Sequence, residues 1–172
     1  DDDNMYYVKK ADSDIIYKIN SDKISVFTDA TLFSLTNPTI YATDETDFSS
    51  FEIDYKGQTS NISLEREEDE YTSTENKTYY QYHPVLNGAQ MDAQEYESFL
   101  SSIQNTALEQ ATNLTAKGEP VLKITIKHFD TDRIDTISFY ETDGNILVVT
   151  GDIVRGMIGT SSFETLIESM PI

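Results

Sequence analysis

The chain has 172 residues, with 31 acids against 12 Lys and Arg, a net charge of -19, and 38% apolar residues that include 11 Tyr and 8 Phe. That many large side chains supply a core, which excludes wholesale disorder, and so acidic a surface repels a phosphate backbone or an anionic membrane face, which excludes nucleic acid as a partner. The absence of Cys excludes disulfides, thiol nucleophiles and Cys-ligated zinc, and no apolar run approaches the ~20 residues that span a bilayer.

Met5 to Lys9 and Ile15 to Asn20 read as two strands joined through the turn formers of Ala11 to Asp14. Asp22 is expected to cap a short helical segment carrying Ile24, Val26 and Phe27. Phe51, Ile53 and Tyr55 alternate with Glu52, Asp54 and Lys56, a strand with one wet face. After the turn at Lys56-Gly57-Gln58, Ile62 and Leu64 repeat the pattern and complete a hairpin. The like-charge run Glu65 to Glu70 is expected as a solvated loop opening an acidic, Tyr-rich insertion that ends at Tyr82. Tyr79, Tyr80 and Tyr82 form an expected strand before Pro84, and His83 sits in the loop at its end.

Asp92 is a good N-cap, with Glu95 completing a capping box and Met91 and Tyr96 placed for a hydrophobic staple. Tyr96, Phe99, Leu100 and Ile103 make one apolar stripe, so a helix over about Asp92 to Asn105 is predicted to pack on a sheet. Leu108 to Leu114 fits neither period cleanly. Leu122, Ile124 and Ile126, then Ile137 and Phe139, alternate as strands, and Asp143-Gly144 turns the chain into a further strand, Ile146 to Thr150. Asp152 is expected to cap a second short helix, and Ser161 with Glu164 to box a third over Phe163, Leu166, Ile167 and Met170.

The two ends share an order of residues: Tyr7 matches Tyr140, Ile15 Ile146, Asp22 Asp152, Ile24 Val154 and Phe33 Phe163. The expected fold class is therefore α+β, with antiparallel β-hairpins forming a twisted sheet, one long helix and short helices packed on it, and a partial internal repeat. Residues 1–38 are read as the tail of a truncated first unit and residues 39–172 as a complete second unit, together one compact body. The opening "DDDNMYYVKK" has no basic, apolar or small-residue signal pattern, so the chain is expected to be a piece of a longer protein or a processed form.

"MYYVKKADSDIIYKINSDKISVF", "FEIDYKGQTSNISLERE", "MDAQEYESFLSSIQ" and "KITIKHFDTDRIDTISFYETDGNILVVTGDIV" carry a resemblance. The chain resembles the domain of unknown function family DUF4340, whose members are often encoded beside ABC-transporter genes of the gliding-motility auxiliary type. The resemblance implies units of β-hairpin, Asp-led helix and further antiparallel strands. It also implies an N-terminal membrane anchor, an extracytoplasmic bacterial setting and protein partners in the cell envelope, and it assigns no catalytic residues. The family's usual Trp after the second hairpin strand is replaced here by the acidic insertion.

Chemistry-bearing patterns are few. His83 and His128 are the only histidines, neither is accompanied in sequence by a nucleophile motif, and both read as structural. "DTDRID", Asp130 to Asp135, begins like a calcium loop, but Asp135 and Glu141 stand where Gly and Glu are needed. "GDIVRGMIG" lacks the Gly-Lys-Ser/Thr of a phosphate loop. No catalytic residue, metal ligand or cofactor is assigned. Tyr79, Tyr80 and Tyr82 are the candidate interaction residues, with Tyr80 and Tyr82 on one strand face and Tyr79 on the other. The expected function is a non-enzymatic extracytoplasmic domain of a membrane-anchored accessory protein of an ABC-type transport system. The alternative is a cell-surface module binding glycan or peptide through the Tyr-rich insertion.

Overall fold

Period-two alternation puts one row of side chains on each face of a strand, and it dominates the computed structural model, which describes residues 5–9, 15–20, 23, 39–41, 47–73 and 78–172. The chain separates into two units, Asp1–Asn37 and Pro38–Ile172. In the first, β1 (Met5–Lys9) pairs antiparallel with β2 (Ile16–Asn20), and Tyr7 lies opposite Lys18. The short helix expected after Asp22 falls, Lys23 apart, outside the described residues.

The second unit runs β3 (Phe48–Tyr55), β4 (Gln58–Glu68), β5 (Tyr80–Leu86), β6 (Ala89–Gln90), α1 (Ala93–Asn105), β7 (Leu122–His128), β8 (Ile134–Glu141), β9 (Asn145–Thr150), β10 (Ile153–Gly159) and α2 (Thr160–Glu168). Its eight strands form one sheet in the order β10-β9-β8-β7-β3-β4-β5-β6, with every neighbouring pair antiparallel. Two four-stranded meanders thus meet through their first strands, and a helix follows each. The fold is a sheet-rich α+β arrangement.

Inward rows carry the core. Phe51 and Ile53 of β3 stand opposite Ile126 and Ile124 of β7, and all four are at most 1% exposed. Outward rows such as Glu52, Asp54, Lys123 and Lys127 face water. Helix α1 starts at Asp92, whose carboxylate accepts the backbone N–H groups of Gln94 and Glu95, satisfying donors that have no intrahelical partner. Its stripe buries Phe99 and Ile103 completely, while Leu100 is only half-buried. Phe99 meets Phe51 edge-on at 5.2 Å, a favoured aromatic geometry. Helix α2 covers the other half of the same face through Phe163, whose ring centroid lies 5.6 Å from that of Phe139.

Several expectations are corrected. The acidic run is not a loop over its first four residues, because β4 continues to Glu68 and pairs Glu65 with His83 and Arg66 with Tyr82. Alternation explains this: Glu65 and Glu67 fall on the wet face, and Arg66 continues the inward row of Ile62 and Leu64. Asp152 caps no helix. Gly151, at φ 59°, and Asp152 are the two loop residues between paired Thr150 and Ile153, so the chain returns as β10. Ser161 is no cap either, since α2 begins after Gly159, which brings no side-chain cap.

A distant segment reaches the start of this helix. Glu109 Oε1 accepts from Ser162 Oγ at 2.5 Å, and this bond, with one from the Gly159 backbone, holds the Glu109 carboxyl below its ordinary range. A carboxylate here also complements the positive helix end. Glu109 and Gln110 bond through their backbones to Met157, so the segment read as ambiguous runs beside β10 and partly covers that sheet edge. At the other edge, β5 runs through Pro84 rather than ending before it, and His83 lies in the strand. Proline lacks a ladder donor and is tolerated where no partner strand requires one. The two-residue turn Asn87-Gly88, both at positive φ, folds β6 back on β5.

Truncating Phe99 to Ala should cost about 3–5 kcal/mol, because the ring is wholly buried against Phe51. Urea melts will register this as a lower midpoint with an unchanged slope, and a melt superimposable on the parent would show that α1 does not seal the core.

Candidate functional site

One end of the sheet gathers most of the polar side chains of interest. Arg66 projects from β4 on the inward row, beyond Leu64. Its guanidinium forms a fork with Asp130, Nη2 to Oδ1 at 2.7 Å and Nη1 to Oδ2 at 2.7 Å, and lies 3.4 Å from Asp47 Oδ2. Paired parallel bonds of this kind are among the stronger ion-pair geometries. The same cation lies over two rings, 4.5 Å from the Tyr80 centroid and 4.3 Å from that of Phe129. Hydrogen bonding from Arg66 holds the Asp130 carboxyl below its usual range.

Tyr82 stands opposite Arg66 across the β4–β5 ladder and donates its hydroxyl to Asp47 Oδ1 at 2.7 Å. Burial, then the Asp47 bond, pushes its phenol up to about 12. The structure brings Tyr80 and Tyr82 into one cluster, as alternation on a strand requires. Tyr79 is placed apart from it, held through its backbone to Asp69 and Ser73 at the base of the loop. No sequence pattern announced Arg66, because Asp47 and Asp130 reach it from different segments.

Beside this cluster, His128 ends β7 buried and within 3.1 Å of Asp135 Oδ2, through Nε2. The same oxygen accepts the Tyr41 hydroxyl at 2.7 Å, and Arg133 reaches both carboxylate oxygens, Nε to Oδ1 at 3.0 Å and Nη2 to Oδ2 at 2.8 Å. Burial raises the Asp135 pKa, but the bonds from Arg133, Tyr41 and His128 outweigh it and hold the carboxyl below its ordinary value. An ionised carboxylate only accepts, so His128 Nε2 carries the proton. Two of the three "DTDRID" acids are thus engaged, Asp130 by Arg66 and Asp135 by Arg133, His128 and Tyr41. His83 is exposed on the wet face, 3.8 Å from Glu67. Among the described residues, no group of three or more His, Asp or Glu is placed to hold a metal ion, and no helix is long and apolar enough to cross a membrane.

These are the features of an antiparallel sheet domain whose polar clusters close on themselves. A family model described as "Domain of unknown function (DUF4340)" matches residues 1–122, and the chain belongs to that family. No curated protein and no solved structure matches it.

Asp135 titrates lower in the folded chain than in the unfolded one. Its contribution to stability is therefore complete above the unfolded carboxylate pKa and fades as pH falls through the folded value. Asp135→Asn should be clearly less stable than the parent near neutral pH, and the gap should narrow towards about pH 3. Urea melts at the two pH values measure the gap, and a constant difference would contradict the assigned bonds.

Proposed function

We propose that this chain is a non-enzymatic, extracytoplasmic domain of a membrane-anchored accessory protein that works with an ABC-type transport system by protein contact. In this reading β1–β2 is the tail of a preceding unit built to the plan of the β8–β9 hairpin, and α1 is the long helix of the complete unit that follows. Membership of the family supports the setting through the association that the resemblance implies.

The observation that carries the non-enzymatic part is the closure of the polar clusters. Arg66 is matched by Asp130 and Asp47, and Asp135 is matched by Tyr41, His128 and Arg133. A catalytic base or nucleophile needs a free lone pair or proton directed at a substrate. These groups direct theirs at one another.

The second reading, a glycan- or peptide-binding module, draws on the exposure of Tyr79 and Tyr80, 42% and 38%. Against it, Tyr80 already has Arg66 stacked on its ring, and the Tyr82 hydroxyl is committed to Asp47.

Crosslinking in the native host, with the full-length protein, separates the two. The accessory reading expects capture of a transporter subunit or another envelope protein. Capture of glycans alone, lost in Tyr79→Ala and Tyr80→Ala, would replace it with the second reading.

A further inference from the structure

At one end of the sheet Asp47, Asp130 and Asp135 are matched by Arg66 and Arg133, whereas a groove beside α2 is lined by three unmatched acids. It is a cavity of about 440 Å³ between the β3–β4 turn, the β8–β9 turn and α2. Its apolar lining includes Tyr55, Phe163 and Ile167, and its acidic lining is Glu141, Glu164 and Glu168. All three glutamates are exposed, and none makes an ion pair with a described basic side chain. Among the described residues Lys56 is the one cation lining the groove, and it sits over the Tyr55 ring at 5.1 Å.

The helix adds to the imbalance. The last turn of α2 contains no basic residue, and Glu168 is its final residue. A helix carboxyl end carries partial negative charge and favours a cation, so an acid there repels its own helix end until a cation arrives. The volume lies in the range of ~300–1,000 Å³ typical of ligand sites. That accommodates one or two side chains rather than a folded surface.

We infer that this groove receives a segment of a partner protein that presents an arginine or lysine beside an apolar residue. The cation lies among Glu141, Glu164, Glu168 and the end of α2, while the apolar neighbour rests on Phe163 and Ile167. The inference deepens the reading of the domain as a protein-contact module and rests on it only for choosing a protein as the source of the cation.

The test is fluorescence anisotropy with a labelled peptide, acetyl-GLRLKG-amide, and a control with glutamine in place of both basic residues. The parent should bind the basic peptide, more weakly as salt rises, and not bind the control. Glu141→Gln, Glu164→Gln and Glu168→Gln together should weaken binding by about tenfold. Glu52→Gln, Glu65→Gln and Glu67→Gln remove equal charge from the wet face and should leave binding nearly unchanged. In amide NMR spectra of the parent, which need no variant, the peptide should shift Thr142, Gly144, Thr160 and Glu164. Equal losses in the two triple variants, shifts elsewhere, no binding, or binding of agmatine as tight as that of the peptide would each overturn the inference. A failed crosslink to an envelope protein would leave the groove standing and remove only its proposed setting.

Discussion

The pairing of β3 with β7 is the contact on which the second unit depends. Each strand opens a meander of its own, and they meet antiparallel with Phe51 opposite Ile126 and Ile53 opposite Ile124. Because the first strands are the ones that join, the strand order is palindromic about the seam, and both helices return to one face. The aromatic contacts Phe51–Phe99 on one side and Phe139–Phe163 on the other then belong to a single layer. The seam's partners are distant in sequence, so closing it costs chain entropy before any apolar burial offsets that cost.

A sheet built outward from its centre leaves two edges, and an open edge is a template for unwanted pairing. On one side β5 carries Pro84 and is folded over at its end by the two-residue β6. On the other, Glu109 and Gln110 bond along β10, and the Glu109 carboxylate accepts from Ser162 in the first turn of α2. With both edges partly protected, neither is a fully open template for strand addition. The charge distribution is uneven, since Arg66 and Asp135 are matched where they lie and the acids beside α2 are not.

The sequence was most readable where local and tertiary preferences coincide. Alternation marked β3, β7 and β8, and the Asp92 cap marked the start of α1 to the residue. It misled where one residue type serves two purposes. Asp152 suits a helix cap and also the second position of a Gly-led hairpin turn, and the strand pattern from Ile153 decided for the turn. The acid run from Glu65 suggested a solvated loop because charge repulsion is a local argument, whereas pairing with β5 is not. The Asn87-Gly88 turn was visible in principle as a standard hairpin signal. Of the candidate site, alternation predicted that Tyr80 and Tyr82 share a face. Their partner Arg66 was beyond reach, because the segments that complete its surroundings meet only in the folded sheet.

Native-state hydrogen exchange measures the seam most directly. If β3–β7 joins two halves into one cooperative unit, the amides of β3, β4, β7 and β8 will exchange at one common, highest free energy. Ile124→Ala will then lower all of them together, those of β4 included. Protection in β3 and β4 that persists while β7 to β10 opens at a lower free energy, or an Ile124→Ala effect confined to β7 and β8, would show two independently stable meanders and contradict the account.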